Sequence, residues 1–392
     1  IFITVTGCER VIYDEHYNLH LSKKVLHISK YFPPYKGGIE DICKSIVESL
    51  SEYKNFVFCY NDDLEDSHTN ENGIDILRVS TYFTAFSQPI APFYKYKLRK
   101  VIESYQPDII HLHLPNPYAA YTVSTLKDKK TKLIVHWHSD IINQKLIYPL
   151  FSFLEKRILT LADCIFVTSP NYLENSAPLK PFKEKCSIVP NGIYESKIKF
   201  IPNDTTIKNI KELSQGKKIV FFMGRHVAYK GINYLIEAEQ YIKSDCVIFI
   251  AGKGPLTEKL QKQNKSSRIF FLGEIADSEI GCYMNAAKIF AFPSITKNEA
   301  FGVVLAEAMY SYLPAITFTI EGSGVNWVNL NNITGIEVAN KDYKAFAQAI
   351  DKLLSDEELR KQMAQIAHDR IEKNFTTKKI AEIVNEEYKK LL

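Results

Sequence analysis

Short, nearly unbroken apolar runs alternate with amphipathic stretches along almost the whole chain from Lys24 onward. Val25-Leu26-His27-Ile28 leads into a loop ending at Gly37-Gly38, and a helical run follows from Ile39 to Leu50. That alternation predicts a parallel sheet wrapped by helices. Further strands are predicted at Asn55 to Tyr60, Ile74 to Val79, Ile109 to His113, Leu133 to Trp137, Cys164 to Thr168 and Cys186 to Val189. Their continuous, β-branched character suits strands covered on both faces. A second series runs Lys218 to Met223, Val247 to Ala251, Ile269 to Leu272, Ile289 to Phe292 and Ala315 to Thr317. The pattern therefore predicts an α/β protein of two doubly wound units. Tyr194 to Gly216 is polar and weakly periodic, so the boundary is expected there, between a first unit over 23–200 and a second over 201–375. Residues 1–22 form an N-terminal extension, and Thr376 to Leu392 an amphipathic terminal helix. Two such units place a ligand in the cleft between the carboxyl ends of their sheets.

A length of 392 residues with 46% hydrophobic composition allows two large cores. The 49 basic and 45 acidic residues leave a formal charge of +4, too balanced for a nucleic-acid binder. Seven cysteines without paired spacing read as reduced core thiols of a cytoplasmic protein. No apolar run reaches the roughly 20 residues that span a bilayer. Val5-Thr6-Gly7-Cys8 has the look of a lipoprotein cleavage box, but the few residues before it are not expected to work as a signal.

The candidate chemistry gathers at the predicted carboxyl ends of strands. Glu299-Ala300-Phe301-Gly302-Val303-Val304-Leu305-Ala306-Glu307 sets two carboxylates around a glycine where a buried helix, Val303 to Met309, is expected to begin. Glu299 is expected at a pocket mouth and Glu307 about two turns into the helix, each offering acceptor oxygens to sugar hydroxyls beside free helix amides. A capped helix with two solvated glutamates reads the same. Gly224-Arg225-His226-Val227-Ala228-Tyr229-Lys230-Gly231 follows a strand and delivers two cations, suited to neutralising a diphosphate, or else simply a basic surface loop. Gly252, Gly254 and Pro255 end another strand, either as plain turn geometry or as backbone open to a nucleotide base. Gly37 and Gly38 either expose amides to a phosphate or sugar or belong to an ordinary proline-containing loop. His138, at the end of a strand, is a candidate partner for a substrate hydroxyl, while His136 shares its face and reads as core. His111 and His113 read as structural, because no cysteine or carboxylate lies at a zinc-site spacing from them. No Asp-x-Asp pair suggests a divalent metal.

In their order along the chain these segments resemble the family-4 glycosyltransferases of the GT-B fold, group 1 type, which build bacterial surface polysaccharides. The resemblance rests on Glu299 with Glu307, on Gly224-Arg225 with Lys230-Gly231, and on Phe32-Pro33-Pro34, Trp137-His138-Ser139-Asp140, Thr168-Ser169-Pro170-Asn171-Tyr172 and Val189-Pro190-Asn191-Gly192. It implies two Rossmann-like domains facing a cleft, the acceptor on the first, the nucleotide-sugar on the second, and the terminal helix crossing back to the first. It implies a retaining transfer with no metal or other cofactor. The reacting centre would use His138, Glu299, Arg225 and Lys230. Donor binding would fall to Gly37, Gly38, Gly252, Gly254, Pro255, Phe301, Gly302, Val303 and Glu307. The expected activity moves a hexose such as mannose, galactose or glucose from a GDP- or UDP-sugar to a saccharide acceptor. That acceptor is expected to be lipid-linked, for example on polyprenyl diphosphate, in O-antigen or capsule assembly. Phe93-Tyr94-Lys95-Tyr96-Lys97-Leu98-Arg99-Lys100 mixes aromatic and basic residues, as a contact with the inner membrane surface would, though a solvated helix face has the same composition. A nucleotide-sugar epimerase and a non-catalytic two-lobed sugar binder are the alternative readings. Donor base, linkage, oligomeric state and the role of residues 1–22 are not encoded in any motif.

Overall fold

The computed structural model describes residues 22–35, 37–85, 88–140 and 148–392, so all of the expected extension but Ser22 lies outside the described residues. Among the described residues ten strands precede residue 200: β1 Lys24–Ile28, β2 Lys54–Tyr60, β3 Ser67–Glu71, β4 Ile74–Val79, β5 Phe83–Ala85, β6 Gln88–Ile90, β7 Ile109–Leu114, β8 Lys132–Trp137, β9 Cys164–Val167 and β10 Cys186–Ile188. Six follow: β11 Lys218–Met223, β12 Cys246–Ala251, β13 Ile269–Gly273, β14 Ile289–Phe292, β15 Ala315–Phe318 and β16 Gly335–Val338. The first sheet has the order β10-β9-β8-β7-β1-β2-β4-β3 and the second β13-β12-β11-β14-β15-β16, with β5 and β6 forming a separate hairpin. Every pairing in the two sheets is parallel except β3 with β4. These are the two Rossmann-like halves of a GT-B architecture.

The central strands are buried on both faces, the setting in which parallel strands occur. β7, β12 and β14 are buried at every position, each covered by helices on both sides. The strand order reverses between β1 and β7 in the first sheet and between β11 and β14 in the second. Crevices open beyond the carboxyl ends of strands at such reversals, which is where loops can converge on a ligand.

The helix Gly38–Ser49 buries Ile42, Cys43, Ile46 and Val47 against the first sheet. Asn55 of β2 closes its far end, donating to the Val47 and Leu50 carbonyls at 3.1 and 2.9 Å. Between the sheets the chain forms the helix Asp204–Ser214, started by the Asn203 side chain accepting from the Thr206 amide. The helix Thr377–Leu391, capped by Thr376, returns to the first half, where Ile380, Val384 and Tyr388 join a core with Val25, Ile46 and Ile109.

Candidate active site

The reversal between β11 and β14 brings the two strongest motifs together. Gly224-Arg225 leaves the end of β11, and the short turn Ala228–Lys230 carries Lys230 over the end of β14. Gly231 allows the approach: its φ is 62°, and a Cβ there would lie 2.0 Å from the Pro293 carbonyl oxygen. Lys230 Nζ sits 2.5 Å from Glu299 Oε2, and the Ser294 hydroxyl donates to the same oxygen at 3.0 Å. Lys230 and Glu299 are each only 8% exposed. Burial pulls the Lys230 ammonium down, but the Glu299 carboxylate outweighs it and leaves the pKa above the ordinary lysine value. The ammonium also lies 5.1 Å above the Phe292 ring. The Ser323 hydroxyl holds the Glu299 carbonyl. Glu299 is thus fixed at both backbone and carboxylate, and buried rather than standing open at a pocket mouth. Arg225 is exposed, and its guanidinium makes no hydrogen bond or ion pair within the described residues.

Gly302, at φ 86°, starts the helix Val303–Tyr310. Glu307 is its fifth residue, so it stands just over one turn in rather than the two expected. It is 4% exposed, and burial pushes its carboxyl up to about 7, Asp41 and Asp277 adding to the rise and Lys197 opposing it. Lys197 comes from the short helix Glu195–Ile198 and pairs with Asp41 at 3.3 Å, so the first half reaches toward this carboxylate. Nothing in the sequence pattern singled out Lys197 or Ser294.

Three of the expected donor-binding residues have a structural role in the fold. Phe301 is a core residue, with its ring 5.5 Å from Phe375 and 6.4 Å from Trp327. At Gly252 an added Cβ would lie 2.1 Å from the Gly224 carbonyl oxygen, and at Gly254 2.5 Å from that of His226. Glycine is needed at both positions so that the 224–226 loop can pack onto this turn. A base approaching the backbone is not required to explain them. Pro255 is exposed beside them, and Val303 is half-buried, touching the cores of both halves.

In the first half, Gly38 opens its helix with free space around it, whereas the Glu40 carboxylate folds back over Gly37, 2.1 Å from where a Cβ would stand. The chain's own anion therefore lies at this helix start, and burial raises its pKa. His138 follows β8, as expected, but it belongs to a stack of five buried histidines. His27 of β1, His111 and His113 of β7, and His136 and His138 stack across neighbouring strands, the closest ring centroids 4.1 Å apart. His113 Nδ1 meets His138 Nε2 at 3.1 Å, His111 Nε2 meets His136 Nδ1 at 3.2 Å, and His111 Nδ1 meets the Tyr388 hydroxyl at 2.6 Å. Burial holds His27 and His138 down at about 3 and the other three well below the ordinary value, so all are neutral at pH 7. Among the described residues the buried His138 Nδ1 has no hydrogen-bond partner.

The sequence places no cysteine at a zinc-site spacing from these histidines, but the fold brings one close. Cys43 comes from the helix Gly38–Ser49 to stand with His27 and His113, their ligand atoms within 4.8 Å of one another, and His111, His113 and His136 form a second such set. The donor types suit zinc. The geometry favours stacking: the His111 and His113 rings are only 7° from parallel, and lone pairs lying in parallel ring planes do not converge on one point.

The loop bearing Glu299 docks on the first half. Lys297 Nζ lies 2.9 Å from Asp140 Oδ2 and 3.2 Å from the Asn175 carbonyl, and Thr168 donates to the Ala300 carbonyl at 3.4 Å. Ala300 is itself part of the first half's core. In the sequence Asp140 stands out only as part of a motif.

Known proteins agree with this arrangement over nearly its whole length. The family described as Glycosyltransferase Family 4 matches residues 36–197, and that described as Glycosyl transferases group 1 matches 203–370. The O-antigen chain mannosyltransferase C of Escherichia coli is 27% identical over 360 residues, 90% of this chain and 94% of that protein. The D-rhamnosyltransferase WbpZ of Pseudomonas aeruginosa is 27% identical over 366 residues, 90% and 92% of the two chains. Among solved structures, sucrose-phosphate synthase from Thermosynechococcus elongatus superimposes with a TM-score of 0.79 at 21% identity, covering 94% of this chain and 99% of that one. Anabaena HepE in complex with UDP and glucose gives 0.76 at 18% identity, covering 94% and 100%.

Proposed function

The chain belongs to the glycosyltransferases of the family-4, group 1 type, and from that premise we propose that it moves a hexose from a GDP- or UDP-sugar to a saccharide acceptor with retention of anomeric configuration. The acceptor is lipid-linked, and the product belongs to O-antigen or capsular polysaccharide. The names of the mannosyl and rhamnosyl relatives support the sugar class.

One observation carries this reading: a buried Lys230–Glu299 pair at the β11/β14 reversal, with Arg225, unpaired among the described residues, at the end of β11. A retaining transfer needs the leaving diphosphate neutralised while the acceptor hydroxyl arrives on the same face of the sugar. Arg225 binds phosphate oxygens through its planar fork, and Lys230 adds a second positive charge close by. Glu299, held by Ser294 and Lys230, accepts from donor hydroxyls, and Glu307 accepts from the ribose. His138 is neutral and hydrogen-bonds the sugar through Nδ1 instead of acting as a cation. No step calls for a metal. The helix Tyr94–Tyr105, with exposed Phe93 and Tyr96 and several basic residues, meets the membrane that carries the acceptor.

A thermal-shift screen with GDP, UDP, dTDP, ADP and their sugars tests the donor site. One nucleotide is expected to raise Tm selectively, and Arg225→Ala to abolish the rise. If none shifts Tm at millimolar concentration, the donor-site assignment is wrong.

A further inference from the structure

We propose that Asp140 and Lys297 form a latch that holds the two halves closed beside the reacting centre, and that Glu299 and His138 keep their working separation only while it is engaged. The inference rests on the assignment of Glu299 and His138 above.

The placement of the pair is the first argument. Lys297 precedes Glu299 by two residues, and Asp140 follows His138 by two, so one ion pair ties together the segments that carry both groups. The second argument is how differently the two ends are held. Asp140 has a side chain only 7% exposed. Its Oδ1 accepts from the Trp137 indole at 3.0 Å and the Ser176 hydroxyl at 2.6 Å, and its amide donates to the Tyr172 hydroxyl at 2.6 Å. All three partners belong to the first half, so this end is fixed whether the halves meet or part. Lys297 is 31% exposed, and its two partners among the described residues, Asp140 Oδ2 and the Asn175 carbonyl, both lie across the interface. On separation the ammonium returns to water, and one carboxylate oxygen is left open for it to find again. A rigid socket facing a releasable cation is a reversible contact.

The surrounding packing makes the latch report on Glu299. Ala300 inserts into the first half's core. A Cβ on Gly322 would lie 2.6 Å from that of Asn175, and one on Gly324 2.8 Å from the Ser169 hydroxyl. Ser323, between those glycines, holds the Glu299 carbonyl. Parting the halves at this rim therefore removes the platform on which the Glu299 loop is shaped. The donor cations Arg225 and Lys230 sit on the second half alone and need no closure to meet a diphosphate. The latch is thus expected to govern turnover more than nucleotide affinity.

Small-angle scattering of the full chain without ligand is compared for wild type, Lys297→Met, Asp140→Asn and the double variant. Turnover is followed with whichever of GDP-mannose, GDP-rhamnose and UDP-glucose the wild type uses fastest. Asparagine still accepts from Trp137 and Ser176, so Asp140→Asn keeps its local structure. Each single variant is expected to increase the radius of gyration and to lower kcat about 10-fold, with the nucleotide-induced Tm shift nearly unchanged. The double variant should be no worse than either single one, and Lys297→Arg should restore most of kcat. Unchanged scattering with wild-type turnover, or losses that add in the double variant, would overturn the latch. Glu299→Gln separates the two readings: if it turns over normally while the latch variants still open, the site assignment fails and the latch stands.

Discussion

Glu307 is a carboxylate kept where ionisation is unfavourable. Its pKa of about 7 stands above the ordinary 4.5, so the folded chain holds the proton longer than the unfolded chain as pH rises. The penalty develops between those two values and is complete above the upper one, on the order of 3 kcal/mol. Glu307→Gln is therefore expected to raise Tm at pH 8 by several degrees and much less at pH 5, while shrinking the stabilisation by nucleotide. Equal Tm gains at both pH values would show that the substitution acts through packing and not through charge. The Lys230–Glu299 pair poses the opposite case, two buried charges that satisfy each other. On the proposed function, Lys230 would have to loosen from Glu299 to serve a diphosphate at full strength, so donor entry would redistribute a charge that is already committed.

At the scale of elements, the histidine stack joins β1, β7 and β8 to the helix bearing Tyr388. Each ring is neutral in the fold and would take a proton near pH 6.5 in the unfolded chain. Their stabilisation is fully present above that pH and is lost progressively as pH falls toward 3. The urea midpoint is expected to fall markedly from pH 7.5 to 5.5, and His136→Phe to flatten that dependence. An identical slope in the variant would mean that other groups carry the acid sensitivity. These strands were easy to read in the sequence because nearly continuous apolar runs have few other uses, and β4, β11 and β14 begin and end where the pattern put them. β3, Ser67–Glu71, was not legible: it is an antiparallel edge strand whose polar side chains carry no apolar signal. The helix Asp204–Ser214 hid in a stretch read as aperiodic because Ile207, Ile210 and Leu213 are its main apolar contacts. Glu299, Arg225 and Lys230 could be found because strand ends announce themselves. Their pairing could not, since it depends on β14 lying next to β11. Lys297 and Asp140 stand 157 residues apart with no local sign of contact.

At the scale of the whole molecule, the first half exposes Tyr82, Phe83, Phe93 and Tyr96, close in sequence to Lys95, Arg99 and Lys100. On the proposed function, the protein is expected to sediment with phosphatidylglycerol-rich vesicles, more weakly as salt rises, and Phe93→Ser with Tyr96→Ser to lower binding several-fold. Binding indifferent to both salt and these substitutions would assign these side chains to ordinary surface. No helix among the described residues is long and apolar enough to cross a membrane, so contact through these residues would be peripheral. The return of Thr377–Leu391 to the first sheet has a consequence for how the protein is made. A ribosome releases the first half before the second, yet the helix that covers Val25, Ile46 and Ile109 is translated after both sheets. During that interval the nascent first half presents an open apolar groove, so chaperone capture and misassembly should concentrate there until the last helix arrives.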